Sequence, residues 1–404
     1  MTYDKTIFEA VVNAADLQYE VEARMGKLKR VGNSMQGCCP FHAEKSPSFS
    51  LSSQKNMWKC FGCGESGDVI SFVAKYDKIS PMEAMRLLAT RYNIPMPEAT
   101  ADVSASDIQD IAATLKIAAI KFTSSLLNNK EVKRYIVNRG ITSMDMVKHW
   151  NLGYAPMSYE LDTVKKIEAL AGLHNSKGDW LFRDRIMFPI EDITGRILGF
   201  TARSIIITGP KYLNSPETAL FHKSKALYGI RQAIASIKSS KMVVITEGPF
   251  DVIALHANNV TSAVGTCGTA FTKEHAEFLK RYCDKALCFF DGDKAGRQAT
   301  IRAIENLFAA GFKGVEVAIL PEGKDAADVA SNLELVTDET AMEFLSKNIE
   351  ADDEEEKINA ILSIISRCPT PIRRDILIRE LADLTNYSQF SLIEQLNQVL
   401  SRRI

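Results

Sequence analysis

Apolar residues recur at helical spacing across 108–127 and again along Leu392, Leu396, Val399 and Leu400. Between these stretches the period changes. Over 241–330, short apolar runs at 242–246, 263–265, 286–290 and 315–320 alternate with helical patterns at 251–258, 272–282 and 295–310. That alternation predicts a largely parallel sheet flanked by helices. Residues 108–240 begin helical and turn mixed, with strands expected at 186–190 and 197–201. Ser80, Pro81 and Glu83 form a helix-start signal: N-cap, first-turn proline and capping-box acid. The helix continues through Met85, Leu88 and Ala89 towards Tyr92, and Pro95 and Pro97 stop it. The expected organisation is a first module at 1–97, a linker at 98–107, segments at 108–240 and 241–330, and a last segment, 331–404, that reads as helical throughout.

At 404 residues the chain is too long for one ordinary core. Its composition, 46% hydrophobic and 25% charged, is that of a globular protein. No apolar run approaches the roughly 18–20 residues of a membrane span, and the acid-bearing N-terminus lacks a signal pattern. The expectation is a cytoplasmic protein that does not engage a membrane. Net charge is −1, but unevenly placed: residues 177–241 hold eleven Lys/Arg against five Asp/Glu, and residues 350–356 hold six acids. A basic stretch of this kind suits either a nucleic-acid groove or a solvated face.

Four of the eight cysteines lie close together, at Cys38, Cys39, Cys60 and Cys63; the others are scattered through apolar contexts. One metal site in a reducing compartment explains this better than a disulfide framework. Cys39-Pro-Phe-His42 and Cys60-Phe-Gly-Cys63 give C-x2-H and C-x2-C separated by 17 residues. Zinc takes four N/S ligands in a tetrahedron, and a two-residue gap lets one tight turn present two of them. Cys39 gives the right spacing to His42, leaving Cys38 a spare thiol. A closed four-ligand site is structural. Residues 48–51 and 57–59 are expected to pair as a hairpin closing it. Phe41, Phe49, Trp58 and Phe61, with Lys45, Lys55 and Lys59 interleaved, suit a single-strand surface or the packing around a small ribbon; for Phe41 and Phe61 packing is the expectation.

Three predicted strands run into acids: Glu247 and Asp251 after the first, Asp291 and Asp293 after the third, Asp325 and Asp328 after the fourth. Ligands of parallel α/β sheets bind at the carboxyl ends of the strands. Carboxylates gathered there repel unless cations neutralise them, and hard oxygen ligands select Mg²⁺ or Mn²⁺.

At this point the sequence resembles the bacterial DnaG-type primases over about residues 1–400. Residues 39–49 and 58–64 resemble that family's CHC2 zinc module. Arg139-Gly-Ile-Thr, Leu152-Gly-Tyr-Ala-Pro156, residues 182–190 and 210–218, and Phe221-His-Lys223 resemble the motifs of its RNA polymerase domain. Glu247 to Asp251, Asp291-Gly-Asp293 and Asp325 match its toprim signature. The resemblance implies an α/β multidomain fold: zinc ribbon (1–97), linker, mixed α+β basic subdomain (108–240), toprim parallel sheet (241–330) and C-terminal helical subdomain (331–404). It further implies synthesis of short RNA primers on single-stranded DNA from NTPs, with one structural Zn²⁺ and two or more Mg²⁺ or Mn²⁺. Glu247, Asp291 and Asp293 would hold the catalytic ions, with Asp251 and Asp325 supporting. Arg139, Arg183, Arg185, Lys211, Tyr212 and Lys223 would contact template or nucleotide.

Two departures stand out. The family usually carries Asp-Pro-Asp near the last strand, whereas Asp325 is followed by Ala326, Ala327 and Asp328, which leaves Asp328 in doubt as a ligand. Family members also continue into a helicase-binding domain, whereas this sequence stops at Ile404. The resemblance therefore leaves a replicative helicase as a partner without its usual docking domain, as in a truncated or phage-encoded member working in the host cytoplasm. The competing readings are a toprim-type nuclease, which would not need the zinc module, and a non-catalytic zinc-dependent single-strand binder, which would not need intact Glu247, Asp291 and Asp293.

Overall fold

The computed structural model describes residues 5–401 except positions 33, 43, 45, 53, 54, 78, 80, 93, 95–103, 176, 206–209 and 269. The expectations for Lys45, Ser80, Pro95, Pro97 and most of the 98–107 stretch lie outside the described residues, as does the Glu83 side chain. The chain divides into two compact units, Met1–Thr100 and Ala101–Ile404.

In the first unit, helices Lys5–Ala14 and Leu17–Met25 precede an antiparallel sheet of five strands in chain order: Lys29–Val31, Ser34–Gly37, Phe49–Ser52, Met57–Cys60 and Ser66–Gly67. Phe49–Ser52 and Met57–Cys60 pair antiparallel, as the hairpin expectation required. Alternation along these two strands turns Phe49, Leu51, Trp58 and Cys60 inward. The Phe49 and Trp58 rings stack at 5.4 Å, and Phe72 of helix Val69–Tyr76 closes on both. At the hairpin, Asn56 adopts a left-handed backbone (φ 50°). Its side-chain amide donates to the carbonyls of Val12 (2.6 Å) and Ala15 (2.9 Å) and accepts from the Leu17 N–H (3.1 Å), splicing the two N-terminal helices to the sheet. Phe41 packs on Trp58 at 5.2 Å, as expected. Phe61 corrects its expectation: it is 71% exposed, with the Lys59 ammonium 5.3 Å from its ring. It follows the buried Cys60 at the start of an exposed turn through Cys63, so its side chain is directed to solvent.

In the second unit, helix Ala105–Asn128 opens with a Ser104–Asp107 capping box and lies on a four-stranded antiparallel sheet. Its strands are Gly153–Ala155, Arg185–Glu191, Ile197–Ser204 and Tyr212–Asn214. The following sheet has the order Ala263–Gly265, Met242–Thr246, Lys285–Cys288, Gly314–Ile319, Thr337–Thr340. Its first four strands are parallel and the last is antiparallel. Helices Pro249–Ala257, Lys273–Lys280 and Lys294–Ala309 connect the parallel strands.

The all-helical expectation for 331–404 fails at Thr337–Thr340. This edge strand, Thr-Asp-Glu-Thr, is mostly exposed and so carries no apolar alternation to announce it. Helices Ala341–Asn348, Glu354–Ile365, Pro371–Thr385 and Gln389–Ser401 follow. Their Phe344, Ile361, Leu377 and Leu396 join Val243, Ile245, Ile304 and Val317 in one continuous core, so sheet and terminal helices share an interior.

Candidate metal centres

In the first unit, ligand atoms of Cys39, His42, Cys60 and Cys63 all lie within 4.8 Å of one another. Cys38 is exposed and outside the group, in line with its reading as a spare thiol. The first knuckle precedes strand Phe49–Ser52, and the second leaves the end of Met57–Cys60 through a turn whose N–H groups face the sulfur. Backbone N–H groups of Gly62 (3.3 Å) and Cys63 (3.4 Å) and the Ser48 hydroxyl (3.1 Å) surround Cys60 Sγ. Burial alone would raise the Cys60 thiol, but these hydrogen bonds outweigh it and bring its pKa down to about 6. Cys39, lacking such a set, is pushed by burial up to about 12. Glu44 accepts from the Cys39 N–H (2.6 Å) and lies 3.1 Å from His42 Nε2, so a carboxylate orients the histidine. Gly62 is required here: a Cβ would fall 2.7 Å from His42 Nε2. The donor set fits one tetrahedral zinc.

In the second unit, a cavity of about 460 Å³ opens at the carboxyl ends of the parallel strands. Glu247, Asp251, Asp291, Asp325 and Asp328 line it together with Arg139, Arg203, Lys211 and Tyr212. Each acid is placed by a strand end or a cap. Asp251 sits in the first turn of Pro249–Ala257, where its carboxylate accepts from the Gly248 N–H (2.9 Å) and reaches the Ala327 N–H (3.3 Å). Asp293 and Asp325 are N-caps of Lys294–Ala309 and Ala326–Val329. Asp328 closes the capping box with Asp325. Gly292 lies within the Asp291–Asp293 turn, and Gly296 packs against it. A Cβ on Gly292 would meet the Pro321 carbonyl at 2.4 Å, and one on Gly296 the Asp291 carbonyl at 2.0 Å.

The acids are electrostatically strained. Burial, then the Asp325 charge, raises Asp251 to about 7. Burial, then Glu247, raises Asp291 to about 7. Burial raises Glu247 as well, against a lowering hydrogen bond from the Asp291 backbone and the pull of Lys211. A group of carboxylates this reluctant to ionise suits a cation. Asp293 does not line the cavity, though its charge acts on both Glu247 and Asp291. The acids are spread along the cavity wall; among the described residues, only the cysteine–histidine quartet gathers as tightly as 4.8 Å.

The cations divide. Arg139 and Lys211 stand on the cavity. Arg183 and Arg185 instead border a separate polar depression with Lys177 and Trp180. Arg183 faces Asp179 at 3.5 Å, and the buried Arg185 donates to the Pro210 carbonyl at 3.0 Å. Lys223 lines neither; its backbone N–H donates to Glu217. The sequence reading missed Arg203. It is 8% exposed and donates to the hydroxyls of Tyr135 (2.9 Å) and Tyr212 (3.0 Å), with its guanidinium 5.3 Å from both the Tyr212 and Phe250 rings. A cation inside the apolar strand Ile197–Ser204 was the available signal.

A zinc-ribbon unit, joined in one chain to a parallel α/β sheet whose strand ends gather carboxylates opposite cations, defines the class of protein. Three family models match the chain: CHC2 zinc finger over residues 3–104, DNA primase catalytic core, N-terminal domain, over 121–234, and Toprim-like over 244–330. A DNA primase of Clostridium acetobutylicum is 35% identical over 388 residues, covering 89% of this chain and 64% of the relative. The chain therefore spans less than two thirds of that protein. The crystal structure of the zinc-binding and RNA polymerase domains of Aquifex aeolicus primase superposes with a TM-score of 0.63 at 30% identity, covering 96% of this chain and 99% of that one. A DnaG primase catalytic domain bound to single-stranded DNA matches with a TM-score of 0.60 at 27% identity, over 69% and 97% of the two chains. The chain belongs to the DnaG-type DNA primase family. It carries a zinc-binding ribbon, and among the described residues no helix is long and apolar enough to cross a membrane.

Proposed function

We propose that the chain synthesises short RNA primers on a single-stranded DNA template from NTPs, the second unit carrying the chemistry and the zinc ribbon a structural and template-contacting role. The observation that carries this reading is the cavity in which five carboxylates face Arg139, Arg203 and Lys211. The single-stranded DNA in a related catalytic domain supports the template assignment. Glu247, Asp291 and Asp293 would hold Mg²⁺ or Mn²⁺, with Asp325 contributing. Bound there, Mg²⁺ or Mn²⁺ would supply the positive charge that aligns an attacking hydroxyl and stabilises a leaving phosphate oxygen.

The chain's own residues do the rest. Asp251, tied to the Gly248 and Ala327 N–H groups, fixes the first strand end against the Asp325 turn. Lys211 and Arg139 offset triphosphate charge, and Tyr212, locked by Arg203, offers a stacking face for a base. Arg183, Arg185 and Lys223, outside the cavity, are proposed contacts for template beyond the reacting nucleotides. A replicative helicase is the proposed partner that would bring the chain to its template.

The test is primer synthesis from NTPs on single-stranded DNA with Mg²⁺ or Mn²⁺. Asp291→Ala and Glu247→Gln should each abolish product while zinc content and melting remain normal. Wild-type synthesis by either variant would displace the proposed centre.

A further inference from the structure

At the opposite edge of the parallel sheet, where its strands begin, three lysines stand side by side. Lys241 precedes strand Met242–Thr246, Lys285 opens Lys285–Cys288, and Lys313 precedes Gly314–Ile319. The register pairs Met242 with Lys285 and Lys285 with Gly314, so the three strand starts lie at successive strand spacings of about 4.8 Å. Backbone hydrogen bonds lock them. The Asp284 and Lys285 N–H groups donate to the Lys241 carbonyl at 3.3 and 3.1 Å, and the Lys313 N–H donates to the Asp284 carbonyl at 2.8 Å. Lys241 holds a left-handed conformation (φ 58°) at this corner. The Lys285 stem lies close over Gly314, where a Cβ would be 3.2 Å from its Cγ.

Three more cations border the row. Lys238 lies 5.2 Å from the Tyr282 ring, Arg281 lies 4.9 Å from the Phe278 ring, and Lys280 pairs with Asp284. Asp284 is the acid within the row, and it is engaged by both Lys280 and Lys313. Glu316 is exposed further along its strand, and Glu277 pairs with Lys273. Among the described residues, Lys238, Lys241 and Lys285 have no carboxylate partner.

We propose that this strand-start edge is a second contact surface for the phosphate backbone of a nucleic acid, separate from the cavity. It lies one strand length, about 17 Å, from the carboxylates at the far end of Met242–Thr246. Lysine charges without carboxylate partners are what sequence-independent binding of a phosphate backbone uses. An acidic protein is the less favoured occupant. Protein interfaces anchor on buried aromatic or aliphatic groups, and none of the large apolar side chains exposed among the described residues falls in these turns.

The experiment measures equilibrium binding of a long, labelled single-stranded DNA to the full chain across a salt series. It compares wild type with Lys238→Gln/Lys241→Gln/Lys285→Gln and with the corresponding Glu variant. Three lost phosphate contacts should reduce the slope of log K against log salt by about 2. Affinity at low salt should fall at least about tenfold, with the Glu variant weaker than the Gln variant and melting temperatures matched. Slopes and affinities equal to wild type in the Gln variant would overturn the proposal. So would unchanged DNA binding alongside lost binding of poly-glutamate, which would assign the edge to an acidic polypeptide instead.

Discussion

Gly296→Ala places a single methyl group where the structure leaves no room for one. Its Cβ would fall 2.0 Å from the Asp291 carbonyl oxygen, 2.8 Å from the carbonyl carbon and 2.9 Å from the Asp291 nitrogen. Carbon–oxygen contacts settle no closer than about 3.3 Å, so the Asp291–Asp293 turn and the start of helix Lys294–Ala309 must separate by roughly 1.3 Å. Both are backbone, so neither can yield by a rotamer change. The overpacking should cost about 1–3 kcal/mol of stability. The larger effect is on chemistry, because the displaced turn carries Asp291 and Asp293; a misplacement of about 1 Å at a reacting centre costs on the order of 100-fold in rate. The assay is primer synthesis alongside thermal melting, with Ala295→Gly as the control. That exposed neighbour loses about 1 kcal/mol of helix propensity and adds no atom, so its activity should stay near wild type. Wild-type synthesis by Gly296→Ala would refute the claim that this close approach positions the acids.

Cys60→Ser or removal of zinc by a chelator should unfold the first unit, since a structural zinc supplies on the order of 10 kcal/mol or more of folding free energy; metal analysis and circular dichroism read the loss. Asp251 and Asp291 bind a proton more tightly folded than unfolded. Metal-free protein should therefore be most stable, as far as these groups are concerned, below the ordinary carboxylate value of 3.8, and should lose stability as pH rises through about 7. Added Mn²⁺ should restore melting temperature more at pH 8 than at pH 5, because the ion must displace those protons; equal shifts at both would count against the acid cluster as its site. Arg203→Lys keeps the charge but loses the planar fork that grips two tyrosines. It should weaken nucleotide use (kcat/KM) about tenfold, or roughly 1.4 kcal/mol, without loss of zinc.

Much of this was legible in the chain. The parallel strands of 241–330 were visible because Met242–Thr246 and Ala263–Gly265 are buried on both faces and the other two are apolar apart from single exposed charges such as Lys285 and Glu316. The zinc ligands declared themselves through spacing, which is a property of the covalent chain and survives any fold. The acids were legible for a similar reason, each lying in the short stretch that leaves the end of a strand. What escaped was tertiary in origin. Thr337–Thr340 is a strand because Gly314–Ile319 offers it an edge. Arg203 becomes a site residue because Tyr135, 68 positions away, meets it. Phe61 is exposed because strand alternation turns Cys60 inward and the next position outward. The cations at Arg139 and Arg183 look alike in sequence, and only packing assigns one to the cavity and the other to a different depression.

The interior shared by the parallel sheet and the terminal helices joins them into one cooperative unit. Ile361, Leu377 and Leu396 belong to the same core as Val243 and Val317, reached through helices Lys294–Ala309 and Ala341–Asn348, so a protease cut in the exposed acidic stretch at 350–356 would open an interior that the sheet shares. Native-state proteolysis should consequently show no stable fragment ending near residue 330. Transplanting the acid-bearing sheet into another scaffold would require its helices to travel with it.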